Sequence, residues 1–522
     1  MTQTAPRRTA PQAAASRKRT AAPAVVRPTG TGAARRWLAL AALMFPVLLI
    51  AVDNTVLSFA VPSITLALGP SATEILWIID IYSLVLAGLL VPMGTIGDRI
   101  GRRRILLIGA TGFAAVSAAA AFATSPAQLI GARALIGVFG SMIMPATLSL
   151  IRNIFEDARE RRLAVAIWAA VFSGGAAFGP LVGGALLSHF AWGSVFLLAV
   201  PMLVPALLLA PVLVPESRDP APSPVDPASI ALVVGAAVGI VYGIKELAHD
   251  GGAPAAAVLA AGAGLGWAFV RRQLRRERPM LDVRLFRIPV FSAGLLANLF
   301  SIFSLVGFLY FLSQHLQLVA GKEPFEAGLL MLPGLALTVA TGLAAVRLAA
   351  RFPARSVMVA GLLVNAAGYG VVLAFGHDGS MPSLLAAFAV VGAGVGLAET
   401  LSNDLILASV PPAKAGAASA ISETAYELGA VLGTAVLGSI LGAAYRLRVE
   451  VPSGLPAEAA DRARETLGGA VEAAHLLPAD AAAELLASAH QAFDSGVVYT
   501  AAIGATLMAG AAVVVLRGLR RP

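Results

Sequence analysis

"WIIDIYSLVLAGLLVPMGTIGDRIGRRR", residues 77–104, decides the fold. From Trp77 to Met93 it carries a single ionisable acid, Asp80, and it then enters a glycine-punctuated turn ending in Arg102, Arg103 and Arg104. An apolar run closed by a basic turn is the pattern of a helix that crosses a hydrocarbon core of about 30 Å and leaves it at a charged surface. Working outward in both directions, apolar segments of similar length recur, centred near residues 50, 84, 114, 138, 175, 204, 237, 262, 300, 335, 366, 395, 430 and 507. Backbone polar groups cannot stay unpaired in lipid, so these fourteen segments are predicted to be helices.

Composition agrees. Of 522 residues, 58% are apolar and 13% charged, with mean hydropathy +0.82, against roughly 45–50% and 25% for soluble domains. The net charge of +9 therefore bears on orientation and lipid contact, and nucleic acid is not an expected partner. Cysteine is absent, which excludes disulfides, thiolate metal sites and cysteine catalysis. The six histidines are scattered, so no cofactor or metal is expected. The only Gly-Lys pair, Gly321-Lys322, is followed by Glu323 and forms no phosphate-binding loop, so ATP is not expected either.

Basic residues fix the expected topology. With the N-terminus in the cytoplasm, 31 of the 38 Lys and Arg fall on cytoplasmic segments and five on outer loops, the remaining two being Arg133 and Lys245 within spans. The chain is therefore expected to cross the plasma membrane with both termini in the cytoplasm. The expected organisation is a disordered basic arm (1–36), a six-helix bundle (37–215), a two-helix insertion with a basic linker (216–288), a second six-helix bundle (289–517) and a short tail (518–522). "GTIGDRIGRRR" (94–104) aligns with "GLAAVRLAARF" (342–352), matching Arg99 to Arg347 but Asp98 to Val346. Related halves around a midplane site are a common plan of secondary transporters. Residues 445–496, with eight acids and four bases, are expected to form a partly helical outer cap.

Several strings resemble those of a known family. "GTIGDRIGRRR" resembles motif A of the major facilitator superfamily, and "ARALIG" (132–137) the R-x-x-x-G core of its motif B. "GGAAFGPLVGGAL" (174–186) resembles motif C, which in this superfamily marks exporting antiporters. With "AVDNTVLSFAVP" (51–62) and "AGAASAISETAYELGAVLGTAVLGSIL" (415–441), the chain resembles the fourteen-span drug:proton antiporters of the quaternary-ammonium and multidrug branch. That resemblance implies an all-α major facilitator fold of 6 + 2 + 6 helices, with Gly94, Asp98, Arg99, Gly101 and Arg102 of motif A, and Gly175, Gly179, Pro180, Gly183 and Gly184 of motif C, in conformational roles. One departure is that span 10 has Glu326 at its mouth and no buried acid, where some multidrug members carry an aspartate.

The intramembrane charges carry the functional reading. An acid at the bilayer midplane costs at least about 2.5 kcal/mol, so such groups are expected to face the cavity between the bundles. A carboxyl in a dry interior can hold a proton at neutral pH, and a nearby arginine opposes this. Asp53, tuned by Arg133, is the expected proton-coupling acid, a role the resemblance also implies. Asp80, Glu399, Glu423 and Glu427 are assigned to attracting a lipophilic cation, with Tyr426 and Trp168 offering aromatic faces. Phe300, Phe303 and Phe311 form a second aromatic stripe, for which packing is the stronger reading. The expected activity is proton-coupled drug export by alternating access, by a monomer and without enzymatic chemistry. A dedicated exporter of one metabolite would use the same machinery, and a proton-coupled importer is a third reading against which motif C weighs.

Overall fold

The computed structural model describes residues 32–219, 225–249, 251–277, 279–375, 380–410, 415–453 and 455–519, and every regular element among them is helical. The first bundle contains α1 (Ala33–Leu68), α2 (Ala72–Ile100), α3 (Arg102–Ala120), α4 (Pro126–Ile154), α5 (Ala158–His189) and the consecutive α6 (Ser194–Leu197) and α7 (Ala199–Leu213). Then come the inserted pair, α8 (Pro227–His249) and α9 (Gly252–Arg275). The second bundle has α10 (Pro289–Gln314), α11 (Pro324–Ala349), α12 (Ala354–Phe375), α13 (Met381–Ala408), and α14 (Ala415–Gly433), which runs through a π-helical segment (Thr434–Gly438) into α15 (Ser439–Arg446). Two short helices, α16 (Ala457–Glu465) and α17 (Leu467–Ala474), precede α18 (Ala479–Gly518).

Thirteen of these helical stretches are long and apolar enough to span a membrane, and α5, bent by 42°, makes a fourteenth. Most of the arm expected at 1–36 lies outside the described residues, but helix already begins at Ala33. At the far end, α18 is one helix of 40 residues, about 60 Å at 1.5 Å per residue, so the second part of the expected outer cap is the start of the last span. Alternation of fourteen spans puts Ala33 and Gly518 on one side, the terminal side.

Local chemistry sets the turns. Gly69 takes φ +57° and its N–H caps α1 on Thr65 O, and two residues later Ser71 and Glu74 form a reciprocal capping box that starts α2. Pro180 explains the bend in α5, because a proline has no N–H to give the carbonyl four residues back. That carbonyl, on Ala176, instead accepts from Thr55 Oγ1 of α1 at 3.0 Å. On the terminal side Asp226 pairs with Arg272 at 2.9 Å and Arg276 at 3.3 Å, tying the start of α8 to the end of α9. The Arg272 hydrogen bond holds the Asp226 carboxyl well below the usual carboxylate range. A depressed carboxylate contributes fully above the ordinary Asp value near 4 and is lost only as pH falls below it, so this clamp persists through the physiological range.

The bundles meet tightly away from the terminal side. Ser313 Oγ donates to Ser58 O at 2.8 Å, Gln317 Nε2 to Phe59 O at 3.3 Å, and Phe325 N to Ser188 Oγ at 3.2 Å. Here α5 and α11 approach backbone to backbone: a Cβ at Gly184 would lie 2.6 Å from Pro324 O, and one at Gly328 2.6 Å from Pro180 O. Helices α16 and α17 cover this mouth, with a Cβ at Gly468 falling 2.6 Å from the Thr65 methyl of α1 and Tyr445 hydroxyl bonding Ala463 O at 2.9 Å. Among the described residues the hydrogen bonds joining the two bundles lie between the level of Asn54 and this mouth, while Asn403 and Asp404 toward the terminal side are exposed. The structure is thus closed on the side opposite the termini.

Gly184→Val or Gly328→Val should push α5 and α11 apart and open that mouth. The expected result is a marked fall in short-arm cross-linking of a Ser188→Cys/Phe325→Cys pair, with α-helical content unchanged; unaltered cross-linking would show that the glycine contact does not hold the closure.

Candidate transport site between the bundles

Asp53 of α1 has a partner in α4. Arg133 Nη1 of α4 lies 2.8 Å from Asp53 Oδ2, with the guanidinium 2% and the carboxylate 11% exposed. Arg133 Nε also donates to Ile78 O of α2 at 3.3 Å, and the guanidinium sits over the Tyr82 ring, 4.5 Å from its centroid. Three helices therefore converge on one buried ion pair, in which each charge gives the other the only strong compensation a dry interior allows. Motif C shapes its surroundings. The Gly175, Gly179 and Gly183 face of α5 lies directly on Ala51, Thr55 and Val56 of α1, so α1 and α5 pack without intervening side chains on either side of Asp53. Gly184, one residue on, faces α11 instead, so the glycine run serves two interfaces.

One residue beyond Asp53, the site crosses between the bundles. Asn54 Nδ2 donates to Glu427 Oε1 of α14 at 3.3 Å. Glu427 is buried, while Glu423, one turn earlier on the same helix, and Glu399 of α13 are half-buried. Glu423 lies within the electrostatic field of both Glu427 and Glu399, so the three carboxylates form one acidic group on the second bundle. Facing it is an aromatic wall: Trp168 stacks on Phe172 of α5 at 6.0 Å with the planes 5° apart, and Phe172 meets Tyr426 of α14 edge-on at 5.7 Å. Trp168 Nε1 is anchored to Thr147 Oγ1 at 3.3 Å. Acidic groups beside aromatic faces can hold an organic cation through Coulomb attraction and cation–π contact. Phe172 was absent from the sequence reading, although its place four residues after Trp168 on one helix was a usable signal.

Two further groups are placed by the residues they contact. Asp80 is committed to an ion pair, and it also lies beside Thr434 of the second bundle. It pairs with Lys245 of the inserted helix α8 at 2.8 Å, both side chains being 1% exposed, and the Lys245 ammonium also lies 4.1 Å from the Trp77 ring centroid. A carboxylate already compensated in this way has little charge left to offer a cation. The stripe on α10 takes the stronger of its two readings in its deeper part: Phe303 and Phe311 are buried in the core of the second bundle with Phe308 and Phe388. Among the described residues no cluster of three His, Cys, Asp or Glu is suited to a metal ion.

The motif A turn sits on the terminal side. Asp98 pairs with Arg102 at 2.8 Å, Arg99 is exposed, and a Cβ at Gly94 would fall 3.4 Å from Pro145 of α4. Gly101 has φ +120°, and a Cβ there would lie 2.7 Å from the Glu216 carboxylate. Glu216 accepts from Arg103 N at 3.0 Å, while Arg103 Nη1 donates to the carbonyls of Pro211 and Val214, each at 3.0 Å. The turn is thus bolted to the segment after α7, and Glu216, 113 residues away in sequence, had no local signal.

Because breaking a buried pair leaves one charge uncompensated, Arg133→Leu alone should cost about 3–5 kcal/mol, while Asp53→Leu/Arg133→Leu together should recover most of that stability. Melting temperatures of the purified variants in detergent provide the check, and equal melting of the single and double variants would contradict the pairing.

The chain matches the Major Facilitator Superfamily model over residues 43–434. It is 57% identical over 488 residues to the multidrug efflux pump LfrA of Mycolicibacterium smegmatis, covering 93% of this chain and 97% of that protein. It is 38% identical over 461 residues to the methyl viologen resistance protein SmvA of Salmonella typhimurium, covering 88% and 93%. It is also 32% identical over 489 residues to the tetracenomycin C resistance and export protein of Streptomyces glaucescens, covering 91% of each. In fold it is similar to an inward-facing bacterial homologue of the human lysosomal transporter Spinster, with TM-score 0.65 and 17% identity over 94% of this chain and 98% of the other. On the extent of these matches, and on the two-bundle helical fold closed on the side opposite the termini, the chain belongs to the major facilitator superfamily.

Proposed function

We propose that this protein is a proton-coupled exporter of lipophilic, cationic drugs, resident in the plasma membrane with both termini in the cytoplasm. The observation that carries the reading is the adjacency of two charged sites: the Asp53–Arg133 pair and, through Asn54, the Glu427 carboxylate on the opposite bundle. Glu427 lies in the field of both members of that pair. Protonating Asp53 removes the anion that compensates Arg133, and Glu427 is then the nearby carboxylate to which the guanidinium can turn. A cationic substrate needs that same carboxylate. Proton and substrate thus compete for one set of charges without sharing a binding atom, and that competition is what exchange requires. Efflux relatives such as LfrA and SmvA support the direction of transport and the substrate class, and the preponderance of Lys and Arg on the terminal side supports the orientation.

The energetics suffice. One charge moved through 100 mV supplies about 2.3 kcal/mol, worth roughly a fiftyfold gradient. A monovalent cation leaving the cell moves its own charge against that potential, so with one proton per cation only the pH difference drives export, while a second proton adds one net charge and the roughly fiftyfold factor, without a nucleotide.

Asp53→Asn should abolish proton-driven ethidium accumulation in inverted vesicles while leaving some dye binding. Undiminished pH-driven uptake would remove Asp53 from coupling. Glu423→Gln and Glu427→Gln should each weaken transport of cationic dyes by about tenfold or more, as expected for loss of a charged contact in a desolvated site, and affect a neutral substrate far less. Equal losses for both substrates would favour a proton or packing role for these acids. The likeness to the tetracenomycin exporter favours a second reading, export of one dedicated metabolite, under which a single compound is transported and the dyes are not.

A further inference from the structure

The inserted pair α8–α9 has no place in the mechanism so far, yet α8 touches both bundles at the mouth that is closed. Toward the first bundle it is held by the Asp80–Lys245 pair and by a close approach in which a Cβ at Gly88 of α2 would lie 2.8 Å from Val234 of α8. Toward the second bundle its last turn is held differently. Arg446, the final residue of α15, donates through Nη2 to Ala248 O at 3.0 Å, a part-buried bond. The last carbonyls of a helix have no partner within it and carry the negative end of its dipole, so a guanidinium there is both a hydrogen-bond cap and a favourable charge. Between these attachments Val241 of α8 packs with Leu84 of the first bundle and with Val431 and Ala435 of the second in one small apolar cluster, and the bundles also meet directly, a Cβ at Gly438 falling 2.6 Å from Leu76.

We propose that α8 is a working part of the outer gate: Lys245 fastens it to the first bundle through Asp80, and Arg446 of the second bundle latches onto its C-terminal end. This rests on the alternating-access reading above, in which the mouth opposite the termini is the outer one and must open in each cycle. When α2 and α15 part, α8 cannot keep both attachments. The two are unequal. Separating Lys245 from Asp80 would expose two charges that now compensate each other at 1% exposure, a costly change in a dry interior, and would also disrupt the α2–α8 close approach. Releasing the second bundle breaks one part-buried hydrogen bond from Arg446 and parts the apolar contact of Val241 with Val431 and Ala435, leaving no buried charge uncompensated. The inserted helix therefore travels with the first bundle, and the Arg446–Ala248 contact is the one that opens and recloses. The same arrangement accounts for the neutralised state of Asp80, which serves as an anchor and not as a cation site. Lys245, Asp80 and Arg446 are positioning residues in this scheme and touch no substrate.

The test measures opening of the mouth instead of transport. Ser58, a buried residue under the closed mouth, is replaced by cysteine in the naturally cysteine-free chain, and labelling by a membrane-impermeant maleimide is followed on intact cells without substrate. Arg446→Ala should speed labelling about tenfold, the order of effect of one charge-assisted hydrogen bond, and Arg446→Lys should restore most of the slow rate. Asp80→Asn/Lys245→Met, which removes both charges together, should speed labelling by a similar factor, because a latch fastened to nothing cannot hold the bundles. Combining it with Arg446→Ala should add little further. Additive effects, or unchanged labelling in Arg446→Ala, would overturn the latch. If the Asp80→Asn/Lys245→Met variant fails to reach the membrane, Lys245→Arg decides instead: it keeps the pair and should keep both slow labelling and its tenfold response to Arg446→Ala, and loss of that response would overturn the proposal. Because the labelling needs no proton gradient or drug, its failure is distinguishable from a failure of proton-coupled drug export, which dye efflux reads separately.

Discussion

A charge removed from water must be compensated by the protein, and this constraint organises the molecule. Asp53 would be untenable in α1 without Arg133 of α4, and Arg133 would be equally untenable without Asp53. Their pairing forces α1 and α4 into fixed register, while the Tyr82 face and the Ile78 carbonyl bring α2 to the same point. The glycine face of α5 then closes on α1 from another direction, and the carbonyl released by Pro180 is satisfied by Thr55, two residues from Asp53. Polar satisfaction and close helix packing converge on the same few turns of α1.

The same constraint makes the site responsive. A compensated pair is stable only while both members keep their charge, so a proton arriving at Asp53 changes the electrostatic demand of everything nearby. Asn54 and Glu427 join that pair to the opposite bundle, and the Trp168–Phe172–Tyr426 wall lies where the bundles face one another. A change in charge at one bundle is therefore felt at the surface along which the two must move. The second buried pair, Asp80 with Lys245, obeys the same rule with another result: both its members lie on elements that move together in the proposed cycle, so it anchors where the first pair switches.

Sequence and structure agree best where local physics dominates. Apolar run length, basic turns and the absence of cysteine were sufficient for a multi-span helical membrane protein, and the i, i+4 spacing of Glu423 and Glu427 put them on one face of a helix. The fourfold spacing of Gly175, Gly179 and Gly183 marked a smooth face, although nothing in it named α1 as the helix that would meet it. Less legible were contacts between residues far apart in the chain. Glu216 under the motif A turn, Lys245 against Asp80 and Arg446 at the end of α8 each bring together residues more than 100 positions apart. A lone lysine near a span end reads equally well as a snorkelling side chain.

By itself, then, the sequence determined that the chain crosses a membrane many times as helices, which segments are spans, and that a small set of buried acids would need partners. Hydrophobic length and backbone hydrogen bonding decide those matters within each segment, so no knowledge of neighbours is required. Tertiary structure alone decided which partner each acid received: Arg133 for Asp53, Asn54 for Glu427, and Lys245 for Asp80. Electrostatic compensation acts through space, over a few ångströms and without regard to separation along the chain, so only the packed arrangement of helices could settle it.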